Sequence, residues 1–245
     1  MQFDFKSRRM FVPGDFSVGA TIEPDRDRTN YLVNVLRLRP GDTILVFNGR
    51  DGEWRARLAE AGRRSCRLEM EEQVRTQTSA PDIHYLFAPL KHARLDYMVQ
   101  KAVEMGAGRL RPVITQHTQV ARVNLRRMRA NAIEAAEQCG ILTIPEIDAP
   151  KPLARILDEW AAGRHLVFCD EGAATANPAE TLKDLPRSPA ALLIGPEGGF
   201  SEEERADLLR RPYVTALSLG PRILRADTAA VAALALVQAF IGDWR

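Results

Sequence analysis

The chain has 245 residues, 45% of them hydrophobic, enough to bury a real core as one large domain or two smaller ones. Its 34 basic and 32 acidic residues leave a formal net charge of +2, too near balance for bulk electrostatics to demand a nucleic-acid partner, so any such surface is local. Cys66, Cys139 and Cys169 are widely spaced and form no C-x-x-C pair, and the 4 histidines do not cluster, so neither a disulfide framework nor a metal site is expected.

The opening "MQFDFKSRRMFVPGD" has no apolar run of signal-peptide length, and no stretch reaches the roughly 18 apolar residues of a membrane span. A cytoplasmic protein is expected. From Arg8 to about Met70 the rhythm is short and strand-like: "RMFV", "DTILVFNG" and "EWRARLAEA" are parted by Pro-Gly, Pro-Gly-Asp and Asn-Gly-Arg-Asp-Gly turns, as in a small barrel or sandwich. Within it "RTNYLVNVLRL" has helical spacing, with Leu32, Val35 and Leu36 on one side, and predicts one short helix. Glu71 to Pro81, poor in apolar residues, reads as a linker.

Beyond it strands and helices alternate, which predicts a parallel sheet covered on both faces. "DIHYLFAP" is a strand, "RLDYMVQKAVEMG" an amphipathic helix stopped at Gly106, "RLRPVIT" a strand, and "NLRRMRANAIEAAEQCG" and "PLARILDEWAAG" are helices. The strands "HLVFCDEG" and "AALLIGPEGG", the helix "SEEERADLLRR" and the strand "VTALSLGP" follow. The last helix, "DTAAVAALALVQAFIGDW", is almost wholly apolar from Ala229 to Ile241 and must be covered on every face, by its own core or by another subunit.

Chemistry is suggested by two strand-end turns, "LLIGPEGGFSEEE" and "LSLGPRILRADTAA". Glycine turns between strand and helix often cradle phosphate on backbone N–H groups. Here the lysine of G-x-x-x-x-G-K-[ST] and the spacing of G-x-G-x-x-G are both missing. Glu197 lies inside the first turn, and Glu202, Glu203 and Glu204 fill the first turn of the next helix, where they favour the helix terminus and repel a pyrophosphate. Ser201 and Glu204 match a capping box, and Asp227 or Thr228 is the expected cap of the last helix. The ligand expected is neutral or cationic, a nucleoside bearing a sulfonium, in one pocket formed by two Gly-Pro corners at consecutive strand ends.

These two segments together resemble the paired signature of the bacterial 16S ribosomal RNA uracil-N3 methyltransferases of the SPOUT superfamily. The likeness extends to "KHARLDYMVQKAVEMG", to "EAAEQCGILTIPEI", and to "RRMFV" and "NYLVNVLRLRPGD" near the start, so it spans nearly the whole chain. It departs at Asp227, where relatives often have Glu, at Ile141, where many have Arg, and at Tyr31, where a His often stands.

The resemblance implies an α/β fold whose SPOUT-type parallel sheet ends in a C-terminal deep trefoil knot, over residues 79–245, after a PUA-like β-barrel RNA-binding domain over 1–72. It implies a homodimer, S-adenosylmethionine held in the knot, and 16S rRNA as substrate, in the assembled 30S subunit, with no metal and no membrane. Cofactor contacts are expected from Leu193, Ile194, Gly195, Pro196, Glu197, Gly198 and Gly199 on one side, and from Leu217, Ser218, Leu219, Gly220, Ile223 and Leu224 on the other. Arg225 is expected to hold the uracil carbonyls or the adjacent phosphate in its planar fork, with a helix-end salt bridge to Asp227 as its alternative use. For the base, Glu197, Asp227 and solvent stay open; Glu197 and Arg225 are the catalytic candidates. Arg8, Arg9, Arg37, Lys91 and Arg94 are the candidate phosphate contacts, while Arg126, Arg127 and Arg129 read as one wet helix face. A non-catalytic RNA-binding protein and a nucleotide-dependent oxidoreductase are the rival classes, the second disfavoured by the missing G-x-G-x-x-G.

Overall fold

Burial alternates along Glu53–Ala61 (β4) and Cys66–Arg75 (β5), as expected of strands with one face on a core. The computed structural model describes residues 7–62, 64–120, 122–174, 177–187 and 189–244. Met1–Lys6 of the opening stretch therefore lie outside the described residues. Two compact units form, one from residues 1–79 with 136–144, the other from 80–135 with 145–245. The first unit thus also takes in residues 136–144, which lie within the 79–245 span expected for the second domain.

In the first unit, Arg9–Phe11 (β1), Thr21–Ile22 (β2) and Thr43–Phe47 (β3) join β4 and β5 in a five-stranded sheet of order β1-β3-β4-β5-β2. β1 runs parallel to β3 and the other pairs are antiparallel. Met10, Val12, Leu32, Ile44, Val46, Trp54, Leu58, Leu68 and Met70 make its core. The supposed linker begins as strand: β5 runs to Arg75, because its polar residues have partners across the ladder, Arg55 with Glu72 and Arg57 with Glu69 and Glu71. The single helix expected near residue 30 is two pieces. The α-helix Arg26–Asn30 (α1), capped by Asp25, passes into a π-helical turn at Tyr31–Val35 that buries Leu32. Arg37 then leaves at φ 57°, the left-handed region that non-glycine residues rarely adopt.

The second unit is built on Ile83–Phe87 (β6), Arg109–Ile114 (β7), Glu146–Ile147 (β8), Lys151–Pro152 (β9), His165–Cys169 (β10), Ala190–Ile194 (β11) and Val214–Leu217 (β12). All pair in parallel, in the order β12-β10-β11-β6-β7-β8, with β9 added on β7. The helices are His92–Glu104 (α2), Leu125–Cys139 (α3), Leu153–Asp158 (α4), Pro178–Leu182 (α5), Glu202–Arg210 (α6) and Ala226–Ile241 (α7), and from Ala136 onward α3 belongs to the first unit. Leu86, Leu166, Phe168, Ala191 and Leu193 pack on one face with Leu153, Ile156 and Leu157 of α4 and Leu208 of α6. Alternation sends Tyr85, Phe87 and Leu192 to the other face, where α7 lies on β11 and touches α2 and α5.

Near the end of α7 the fully buried Gln238 donates to the carbonyls of Met105 and Gly106 at 2.7 and 3.1 Å and accepts from the Asp243 N–H, so a polar side chain in an apolar helix is satisfied. Gly106 follows α2 at φ 77°, and a Cβ there would stand 2.5 Å from the Gln238 amide. The cap of α7 is neither Asp227 nor Thr228 but Arg225, and no side chain caps that end.

Candidate active site

In a parallel sheet every strand delivers its following turn to the same edge, so the ends of β6, β7, β10, β11 and β12 are gathered there. The turn after β11 closes with the Gly199 N–H on the Pro196 carbonyl at 2.9 Å, and Gly199 adopts φ 70°. Gly195 is required by packing: a Cβ would stand 2.4 Å from the Phe200 ring, which meets Phe168 edge-on at 5.0 Å. The capping box of α6 has both halves, with the Glu204 N–H on Ser201 Oγ at 3.2 Å and the Ser201 N–H on Glu204 Oε2 at 3.0 Å. The second oxygen of Glu204 accepts from the Gln116 N–H at 2.8 Å, which ties this helix to the loop after β7.

The same loop carries His117, whose Nδ1 lies 3.2 Å from the carbonyl oxygens of both Gly198 and Gly199. Carbonyls only accept, so Nδ1 carries the proton of this contact and the ring pins the glycine turn. From α2, Arg94 forms an ion pair with Glu197. Lys91, at the cap of α2, lines a cleft with Leu90, His117, Gln119, Pro196 and Glu197. The α2 end, the β7 loop and the first Gly-Pro corner thus share one site.

The second corner is more open. The Ser218 Oγ accepts from the Gly220 N–H at 3.4 Å, and Gly220 adopts φ 102° with nothing within 4 Å of where a Cβ would stand. Pro221 and Arg222 are exposed, Ile223 is 85% exposed, and Leu224 is half-buried. Arg225 is exposed, and among the described residues its side chain has no hydrogen bond or ion pair. The salt bridge to Asp227 considered above does not form; Asp227 instead accepts from the Thr228 N–H at 2.9 Å.

The corners end strands that are consecutive in the chain but not adjacent in the sheet: β10 stands between β11 and β12, which separates them by two strand spacings, about 10 Å. The turn after β10, Asp170 to Gly172, rises in that gap, although no motif in the sequence marks it. Asp170, 5% exposed, takes the Arg205 guanidinium at 2.8 to 3.1 Å on its two oxygens, and its N–H donates to the Leu217 carbonyl at 3.0 Å. Burial pushes the neighbouring Cys169 thiol up to about 12, which leaves it inert as a nucleophile. The acidic pair closing "HLVFCDEG" was the available signal.

In the first unit, Arg8 is exposed and donates to the Leu36 carbonyl at 3.0 Å, and Arg37 is exposed. Arg9 is not at the surface. Its side chain is 7% exposed, paired with Glu53 at 2.5 Å, and donates to the carbonyls of Ala136, Glu137 and Ile141 at 2.7, 2.9 and 3.1 Å. A guanidinium with these partners is structural and unavailable to phosphate. Tyr31 is exposed, and Arg127 pairs with Asp96 on the wet face of α3.

The groups at the sheet edge are backbone of two glycine corners, apolar side chains, and carboxylates set beside the cations Lys91, Arg94, Arg205 and Arg225; the carboxylates at the glycine turn favour a neutral or cationic nucleoside there over a polyphosphate. Comparison with known proteins agrees in kind. Residues 77–238 match the family described as the RNA methyltransferase domain, and residues 24–71 match the RNA methyltransferase PUA domain. The chain is 29% identical to ribosomal RNA small subunit methyltransferase E of Rickettsia conorii over 95% of this chain and 96% of that one, and 30% identical to the protein of that name from Mycobacterium tuberculosis over 92% and 89%. Among solved structures, a ribosomal RNA small subunit methyltransferase E of Neisseria gonorrhoeae bound to S-adenosyl methionine superposes with a TM-score of 0.87 at 29% identity, covering 98% of this chain and 100% of that one. A methyltransferase of Legionella pneumophila in complex with the same cofactor superposes with a TM-score of 0.84 at 30% identity, covering 97% and 99%. With the family's model matched over 162 of 245 residues, the chain belongs to the RNA methyltransferase family.

Proposed function

We propose that this protein methylates N3 of a uracil in 16S ribosomal RNA, using S-adenosylmethionine, and that it acts in the cytoplasm on the assembled small subunit. The observation that carries the proposal is the common edge of the sheet: both Gly-Pro corners open there, and the unpartnered Arg225 stands at the end of the second. The names and bound cofactor of the relatives support the substrate and the methyl donor.

When bound, S-adenosylmethionine supplies an electrophilic methyl group on a positively charged sulfur. We assign its binding to Leu193–Gly199, to Leu217–Gly220, and to Ile223 and Leu224. On the RNA side, N3 must shed its imide proton and send charge into O2 and O4. The planar, always charged fork of Arg225 is free to meet those oxygens, and such fixed charge supplies rate through orientation and electrostatics. Glu197 is committed to Arg94, so we give it the holding of the cofactor turn and let the imide proton go to water. Arg8, Arg37 and Lys91 take phosphates, with Arg94 beside the turn; Arg9 drops out.

We further read the second unit as a trefoil-knotted SPOUT domain and the first as a PUA-like barrel. The return of β11 between β10 and β6 before β12 passes outside β10 supports the knot. A homodimer is supported by α7, where Val231, Ala232, Ala235, Leu236 and Phe240 are only half-buried in one chain, leaving an apolar face for a second copy. No helix among the described residues is long and apolar enough to cross a membrane.

The experiment is mass spectrometry of small-subunit rRNA nucleosides from cells with and without the gene. Loss of 3-methyluridine in the deletion, restored by the purified protein with S-adenosylmethionine, is the expected outcome. Unchanged 3-methyluridine would refute the substrate.

A further inference from the structure

We infer that Glu171 is the carboxylate that recognises the cationic groups of the methionine arm of the methyl donor, and so sets the preference of the site for adenosyl ligands that carry a sulfonium or an ammonium over those with neither. The inference rests on the cofactor site proposed above.

Topology places the residue. Because β10 lies between β11 and β12, the Asp170–Gly172 turn rises between the two Gly-Pro corners and is tied to both. Toward β12, the Asp170 N–H is held by the Leu217 carbonyl at 3.0 Å. Toward β11, the Glu171 Oε1 lies 3.8 Å from where a Cβ on Gly199 would stand, so the carboxylate rests against the glycine turn that the cofactor is proposed to line.

Charge accounting singles out the same group. Asp170 is neutralised by Arg205, Glu197 by Arg94, and Glu204 is spent on Ser201 and Gln116. Glu171 is exposed, and among the described residues its carboxylate has neither a hydrogen bond nor an ion pair. The nearby Arg205 donates to the Gly172 carbonyl at 3.4 Å and already holds Asp170, so it does not cancel Glu171. Glu171 is therefore the carboxylate of the β10 turn left without a counter-ion among the described residues. A polyphosphate would be repelled there, whereas a ligand carrying an ammonium or a sulfonium gains a charge-assisted contact.

The test is calorimetric titration of the full-length protein and its Glu171→Gln variant with three ligands that share a 5′-thio-substituted adenosine frame. S-adenosylmethionine carries ammonium and sulfonium, S-adenosylhomocysteine the ammonium alone, and 5′-methylthioadenosine neither. Glu171→Gln should weaken the first by about tenfold or more, weaken the second, and leave the third unchanged, as expected for loss of a charge-assisted contact. Unchanged affinity for S-adenosylmethionine overturns the inference, and so does an equal loss for 5′-methylthioadenosine, which would mark a merely structural role. Gly220→Val, which strains a left-handed turn in the second corner, keeps the two proposals apart. If it weakens all three ligands while Glu171→Gln weakens none, only the role of Glu171 falls. If it weakens none, the proposed cofactor site falls too.

Discussion

Arg94, in the first turn of α2, is ion-paired to Glu197, inside the glycine turn after β11, across 103 residues of sequence. Both side chains are nearly half exposed, so the pair itself contributes at most about 1 kcal/mol to stability. Its consequence lies in order within the turn. Arg94→Ala and Glu197→Ala should each leave the melting temperature nearly unchanged and each weaken S-adenosylmethionine binding several-fold. The double variant should be no worse than either single one, since both remove the same contact. Additive losses in a double-mutant cycle read by calorimetry would show that the two residues act separately.

Arg225 occupies the cap position of α7 without capping it and without a partner among the described residues. A side chain that stabilises nothing can be removed without unfolding anything. Arg225→Ala should therefore keep its melting temperature and its cofactor affinity while lowering kcat by about 100-fold or more, the scale of a lost transition-state contact. Arg225→Lys should recover little, because an ammonium lacks the planar fork. Single-turnover methylation of the RNA substrate near the wild-type rate in Arg225→Ala would remove this residue from the mechanism.

What was legible in the sequence was local. The capping box of Ser201 and Glu204, the stop at Gly106 and the two Gly-Pro corners are written within a few residues of where they act, and all are present. What was hidden depends on partners far along the chain. The fate of Arg9 is decided by Glu53 and by carbonyls at 136, 137 and 141, more than 120 residues away, and nothing in "RRMFV" distinguishes it from an exposed arginine. The polar run after Met70 resembles a linker because its stability comes from cross-strand ion pairs and not from apolar residues. Likewise the place of β10 between the corners is a product of crossovers, which adjacency in sequence does not encode.

The burial of Arg9 separates stability from RNA binding in a measurable way. Removing Arg9 leaves the buried Glu53 with Arg75 alone, at 3.3 Å, and three carbonyls unsatisfied, and Arg9→Met should destabilise the first unit by about 2 kcal/mol or more. Arg37→Ala should do the opposite: it should leave stability intact or slightly improved, since it removes no contact, and should weaken RNA binding with a reduced salt slope. If urea unfolding of Arg9→Met matches the wild type while its RNA affinity drops, the structural assignment of Arg9 is wrong.

His84, at the start of β6, makes the second unit acid-sensitive. Burial first, and then the Arg164 and Arg111 guanidiniums, hold its imidazole down at about 4, against the partial opposition of Asp82 at 3.7 Å. Its Nδ1 is buried with no partner among the described residues, so at that nitrogen nothing rewards the charged form. The unfolded chain protonates this histidine near pH 6.5, as a free imidazole does, whereas the folded chain resists until about pH 4. Because the folded value is the lower one, the unfolded state gains the proton first, and stability falls as pH drops through that window. Between pH 7 and pH 4.5 the loss from this one group should be about 2.5 kcal/mol. Carboxylates contribute their own losses over the same range, so the comparison must be with His84→Gln, which keeps them all. Urea unfolding at the two pH values should give the variant a smaller drop by about that amount; equal drops in the two proteins would mean that the ring is charged in the folded state.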